Sequence, residues 1–104
     1  MDRSNALLIA QDAARHVWNK IGQIKHAGCP LEAWTNDVFD SRDYLTKAIG
    51  VLADSCDRDE VQDLYHRLWD ALAFLTCAVK KKRVYRAQVI RALDCLGPIL
   101  PRRS

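Results

Sequence analysis

Apolar residues recur at alternating intervals of three and four from Leu7 through Ala10, Ala14, Val17 and Ile21 to Ile24, the spacing that keeps one face of a helix against a core. Leu8 and Trp18 flank this stripe, and Gln11, Asp12, Arg15, Asn19 and Gln23 fall opposite. The pattern predicts a first helix over residues 5–27. Ser4 is placed to cap it, and Gly28 with Pro30 to end it, because glycine accepts a left-handed cap and proline cannot continue a helix. Pro30-Leu31-Glu32-Ala33-Trp34 reads as a short helical turn with proline at its first position. Val38, Leu45, Ala48, Ile49, Leu52 and Cys56 then carry helical spacing along a second helix, residues 37–56, that starts between Thr35 and Ser41.

Asp57 and Glu60 have the spacing of a capping box, so a third helix is expected over 58–80. Its stripe is Val61, Leu64, Tyr65, Leu68, Leu72, Leu75 and Val79, but Trp69, Ala71, Ala73, Phe74, Cys77 and Ala78 make the stretch from Leu68 to Val79 apolar on nearly every side. A helix apolar all round is buried all round. Either this helix is central, or a second copy of the chain covers one of its faces.

Between Cys77 and Ala92 there is no Gly, Pro, Ser, Thr, Asn or Asp to stop a helix, and the heptad stays in phase through Lys82 and Arg86 to Val89, Leu93 and Leu96. One helix from 58 to 96 would be roughly 60 Å long, whereas a monomer of this size has a radius of gyration near 13 Å. A break at Lys80-Lys81-Lys82-Arg83 is favoured, because the stripe turns basic where a core should continue. It leaves a fourth helix over 84–96, ended by Gly97-Pro98. No alternating strand pattern or hairpin signal stands out. The expectation is one all-α domain, residues 1–104, built as a small antiparallel bundle of three to four helices, with dimerisation as one way to complete it.

Composition supports a folded domain: 49% of the 104 residues are apolar and 28% charged, ordinary values for a chain that buries a core. The apolar stretch at Leu68–Val79 contains Asp70 and falls short of the ~20 residues of a membrane span. The start of the chain lacks the apolar block of a secretory signal. Cys29, Cys56, Cys77 and Cys95 include no Cys-x-x-Cys pair and read as reduced, buried thiols. These features lead us to expect a cytoplasmic protein without membrane contact.

Charge is divided unevenly. Residues 1–79 hold eight basic and twelve acidic residues, net −4, with the acids concentrated between Glu32 and Asp70; residues 80–104 hold eight basic residues against Asp94 alone, net +7. Such asymmetry bears on association rather than on fold. Lys80, Lys81, Lys82, Arg83, Arg86 and Arg91, with Tyr85 among them and Arg102 and Arg103 beyond, form the strongest candidate patch. On a continuous helix Lys82, Arg83 and Arg86 would share a face able to follow a phosphate backbone. The bland alternative is that the basic end and the acidic middle neutralise each other, within the monomer or across a symmetric dimer.

Metal-ligand spacings are limited to His26-x-x-Cys29, Asp63-x-x-His66 and Asp12-x-x-x-His16, none of which completes a known pattern. No nucleophile with an adjacent base and no glycine-rich phosphate loop is recognisable, so neither an enzyme nor a cofactor is expected. Trp34 and Phe39, in an irregular region, and Trp69 and Phe74, on the all-round apolar helix, are candidate protein contacts. The leading expectation is a non-catalytic protein–protein interaction module, a homodimer acting as an adaptor, inhibitor or regulator by occupying a macromolecular surface. The alternative is a nucleic-acid-binding regulator that uses the basic end.

Overall fold

The computed structural model describes residues 2–28, 30–55, 57 and 59–101. Cys29, Cys56, Arg58, Arg102 and Arg103 lie outside the described residues. Four helices, α1 (Arg3–Ile21), α2 (Thr35–Ser55), α3 (Gln62–Ala78) and α4 (Arg86–Leu96), make up the bundle. Between α3 and α4 stand two strands of two residues each, β1 (Val79–Lys80) and β2 (Arg83–Val84), paired antiparallel. The fold is all-α, as the apolar periodicity implies.

The cap of α1 is Asp2, whose carboxylate accepts from the Asn5 backbone N–H at 2.9 Å, so the helix starts before Ser4. It also tightens earlier than Gly28: from Gly22 to Lys25 the chain is a 3-10 helix. Trp18 explains the position of glycine there, because a Cβ on Gly22 would come within 3.3 Å of the indole. The expected short turn spans Leu31–Trp34, preceded by Pro30, and runs directly into α2. Gly50 faces open space, so its place in α2 reflects no close packing.

Small side chains set the α1–α2 contact. Ala6, Ala10, Ala13 and Ala14 are buried on α1, and on α2 so are Val38, Ser41, Leu45, Ala48, Ile49 and Leu52. The Ser41 hydroxyl is buried without a hydrogen-bond partner. The seam between α3 and α4 is the most extensive in the molecule, lined by Leu64, Leu68, Ala71 and Leu75 on one side and Val89, Ala92, Leu93 and Leu96 on the other.

The start of α3 differs from the expected capping box. Asp57 makes a turn instead: its carboxylate accepts from Asp59 N–H at 3.0 Å and its carbonyl from Glu60 N–H at 3.1 Å. Arg3 organises this corner by donating to the Glu60 carbonyl at 2.6 Å and to both Asp63 oxygens at 3.0 and 2.8 Å. The Arg3 hydrogen bond is the main reason the Asp63 carboxyl is held down at about 2. Both side chains are exposed, so solvent screens the pair and its share of stability is small.

The third helix is not wrapped on all sides. Trp69 is 45% exposed and Cys77 is exposed, while Phe74 is half-buried against the core. The expectation of buried thiols fails at Cys77. Cys95 is half-buried, and burial pushes its thiol up.

Candidate functional site

The helix breaks at the basic run, and what replaces it is a hairpin that neither the period nor the turn chemistry announced. Val79 pairs with Val84 and Lys80 with Arg83. Side chains alternate across a strand, so the two valines share one face and the two cations the other. Val84 is buried and Val79 half-buried against the core. Lys80 and Arg83 are exposed.

The loop is Lys81-Lys82, with φ of 49° and 65°. Positive φ at both central residues is the signature of a type I′ turn, whose preferred sequence is Asn-Gly because a Cβ crowds the left-handed region. A lysine there costs about 1–2 kcal/mol per residue. Across the strands Lys80 and Arg83 stand directly opposite, and like charges so placed repel by roughly 0.2–1 kcal/mol. The hairpin therefore combines two local penalties: a Cβ at each left-handed position of the turn, and like charges on facing strands.

Packing at its root holds the hairpin in place. Tyr85 N–H donates to the Ala78 carbonyl at 2.7 Å, closing the base of the ladder. Arg86 turns inward, its guanidinium donating to the Ala27 carbonyl at the end of the α1 segment. β2 lies against the Leu31–Trp34 turn; there Pro30, Leu31, Glu32, Arg83, Val84 and Tyr85 line a hollow of about 330 Å³. On the α3 side Cys77, Lys80, Tyr85, Ala87 and Gln88 line another, of about 360 Å³.

The expected basic patch is thus rearranged. Lys82, Arg83 and Arg86 share no helical face: the first two belong to the hairpin, and Arg86 is part-buried in a structural hydrogen bond. Lys80, Lys81, Lys82 and Arg83 form the exposed cluster, Tyr85 stands at its root 44% exposed, and Arg91 is exposed on α4. Within one copy of the chain, no described acid forms an ion pair with this cluster. Among the described residues the ion pairs are Arg3 with Asp63, Lys20 with Asp37 and Asp40, and Lys25 with Asp94. None of the four hairpin cations takes part, even though Glu32 shares a hollow with Arg83.

The candidate aromatic contacts do not form one surface. Trp34 packs half-buried against the core, and Phe39 is 41% exposed on α2 beneath the Arg42 guanidinium at 5.3 Å. Trp69 and Phe74 lie five positions apart on α3, about 140° around the helix. Trp69 meets Tyr65 edge to face at 6.1 Å and lines a shallow hollow with Tyr65, His66 and Asp70.

Two of the suggested metal spacings have other partners. Asp63 is held by Arg3. Asp12 accepts from the Tyr44 hydroxyl, and the Tyr44 ring stacks on His16 at 3.9 Å; the bond to Asp12 raises the Tyr44 pKa. This cluster ties α1 to α2 beside a hollow of about 260 Å³ lined by Ile9, Ala48 and Val51 as well, which the sequence did not reveal. Among the described residues no three His, Cys, Asp or Glu side chains are grouped to hold a metal ion, and no helix is long and apolar enough to cross a membrane. No protein-family model, curated protein or solved structure matches the chain.

Proposed function

We propose that this protein is a non-catalytic interaction module of the cytoplasm, an adaptor, inhibitor or regulator that occupies a surface on another macromolecule through its cationic hairpin. The observation that carries this is the strained Lys81-Lys82 turn between Lys80 and Arg83, exposed and unpaired by any described acid. Backbone strain persists where the surrounding structure enforces it, and it concentrates at sites of binding. What the hairpin supplies is charge held in a fixed shape.

The test is capture from an extract of the source cells, with and without nuclease, comparing the native chain with a variant carrying Gln at positions 80, 81, 82 and 83. The partner is expected to be lost with the four charges. Undiminished capture by a folded variant contradicts the proposal.

We also propose a homodimer that covers the exposed side of α3 around Trp69. Light scattering at micromolar concentration is expected to give a dimer, and Trp69→Asp a folded monomer. Phe74→Asp is a poorer test, since Phe74 also packs on the core. A native chain that stays monomeric at high concentration contradicts the dimer.

A further inference from the structure

We infer that the surface met by the hairpin is the phosphate backbone of a nucleic acid, held without reading its bases. This rests on the hairpin being the contact element, as proposed above, and names its partner.

Charge density is the first ground. Four consecutive residues present four cations: Lys80 and Arg83 stand opposite each other on strands about 4.8 Å apart, and Lys81 and Lys82 form the turn that joins them. A duplex carries one negative charge per ~1.7 Å of its axis, fixed there by covalent structure. A folded protein would have to hold several carboxylates equally close against their own repulsion. The hairpin and a phosphate backbone are each unfavourably crowded alone, and each relieves the other.

The surroundings agree. From Ala71 to Leu93 the chain contains six basic residues and no acid; a carboxylate beside the hairpin comes from elsewhere in the chain, Glu32, which lines the hollow beside Arg83 without pairing with it. The tip, Lys81 and Lys82, carries no apolar side chain to enter a bilayer. At the root, half-exposed Tyr85 lines a hollow with Lys80 and Gln88, a flat ring and a neutral hydrogen-bonding group beside a cation. Aromatic rings in such positions stack on sugars or unpaired bases without choosing among them. Arg91 follows Gln88 by three positions and Ala87 by four, which continues the track along the same side of α4.

The test measures fluorescence anisotropy of labelled mixed-sequence duplex DNA and of a single strand, with polyglutamate and phosphatidylcholine–phosphatidylserine vesicles as competing polyanions. Four phosphate contacts give a slope of log affinity against log salt of about −3.6, a loss of roughly 150-fold between ~50 and ~200 mM salt. Lys80→Gln with Arg83→Gln should halve the slope to about −1.8 and weaken every sequence alike, with an unchanged circular dichroism spectrum. Binding of the duplex with these slopes, or of the single strand with slopes of about −2.8 falling to about −1.4, supports the inference. It is overturned if the native chain shows no salt-sensitive nucleic-acid binding at ~50 mM, if the double variant binds as the native chain does, or if polyglutamate or the vesicles displace DNA at equal charge concentration. If nucleic acid fails to bind while the four-Gln variant still loses a partner from nuclease-treated extract, the hairpin remains the contact element and only this assignment fails. If that variant loses nothing, both fail.

Discussion

Trp18→Ala is expected to cost about 3 kcal/mol of folding stability, a large share of the roughly 5–15 kcal/mol that holds a domain together. The indole joins the two ends of the chain. Its Nε1 donates to the Leu93 carbonyl at 3.2 Å, its ring covers Gly22 and approaches the Cβ position of Gly97 at 4.0 Å, and the Lys25 ammonium sits 4.7 Å from its centre. Lys25 in turn reaches Asp94 at 3.7 Å. Removing the ring opens a void between α1 and α4, while Trp18→Phe keeps most of the packing and loses chiefly the hydrogen bond, about 1 kcal/mol. Urea denaturation of the two variants checks this. If alanine and phenylalanine cost the same, the ring is not what joins α1 to α4.

The second large effect has the opposite sign. Lys81→Asn with Lys82→Gly is expected to stabilise the fold by about 1.5 kcal/mol, since both new residues tolerate positive φ and only part of the gain is offset by glycine's freedom in the unfolded chain. For a domain of this size that raises Tm by roughly 6–12 °C. A thermal melt that shows no gain would mean that the left-handed lysines are not strained.

How the bundle is legible in the sequence follows from which forces dominate where. Leu68, Leu75, Val89 and Leu93 each bury a side chain on a helical period, and burial decides helix position wherever it is continuous. Ends are weaker signals, because several polar residues compete for them. Asp2 rather than Ser4 caps α1, and Arg3, distant in sequence, reorganises the turn that Asp57 and Glu60 would otherwise have capped.

The candidate site was legible only as composition. Four adjacent cations marked the place, and the break in the core stripe at Lys82 marked the end of a helix. The hairpin stayed hidden because its strands are two residues long and its turn lacks glycine and asparagine. Val79 and Val84 bracketing the basic run are the one signal that could have shown it, since β-branched residues favour strands. Arg86 leaves the patch for a similar reason: the Ala27 carbonyl it holds lies 59 residues away. Trp69 and Cys77 are exposed because α3 meets neighbours on one side, and residue type alone does not show which face of a uniformly apolar stretch is left over.

On the function proposed above, we hold that basic residues occupy the turn for binding and at the expense of folding. To test this, the native chain is compared with the Lys81→Asn, Lys82→Gly variant in one preparation, recording Tm and the amount of partner captured from cell extract. The expected result is a higher Tm together with a loss of capture. A variant that is more stable and captures its partner undiminished would contradict the claim, because the lysines would then cost stability and contribute nothing to recognition.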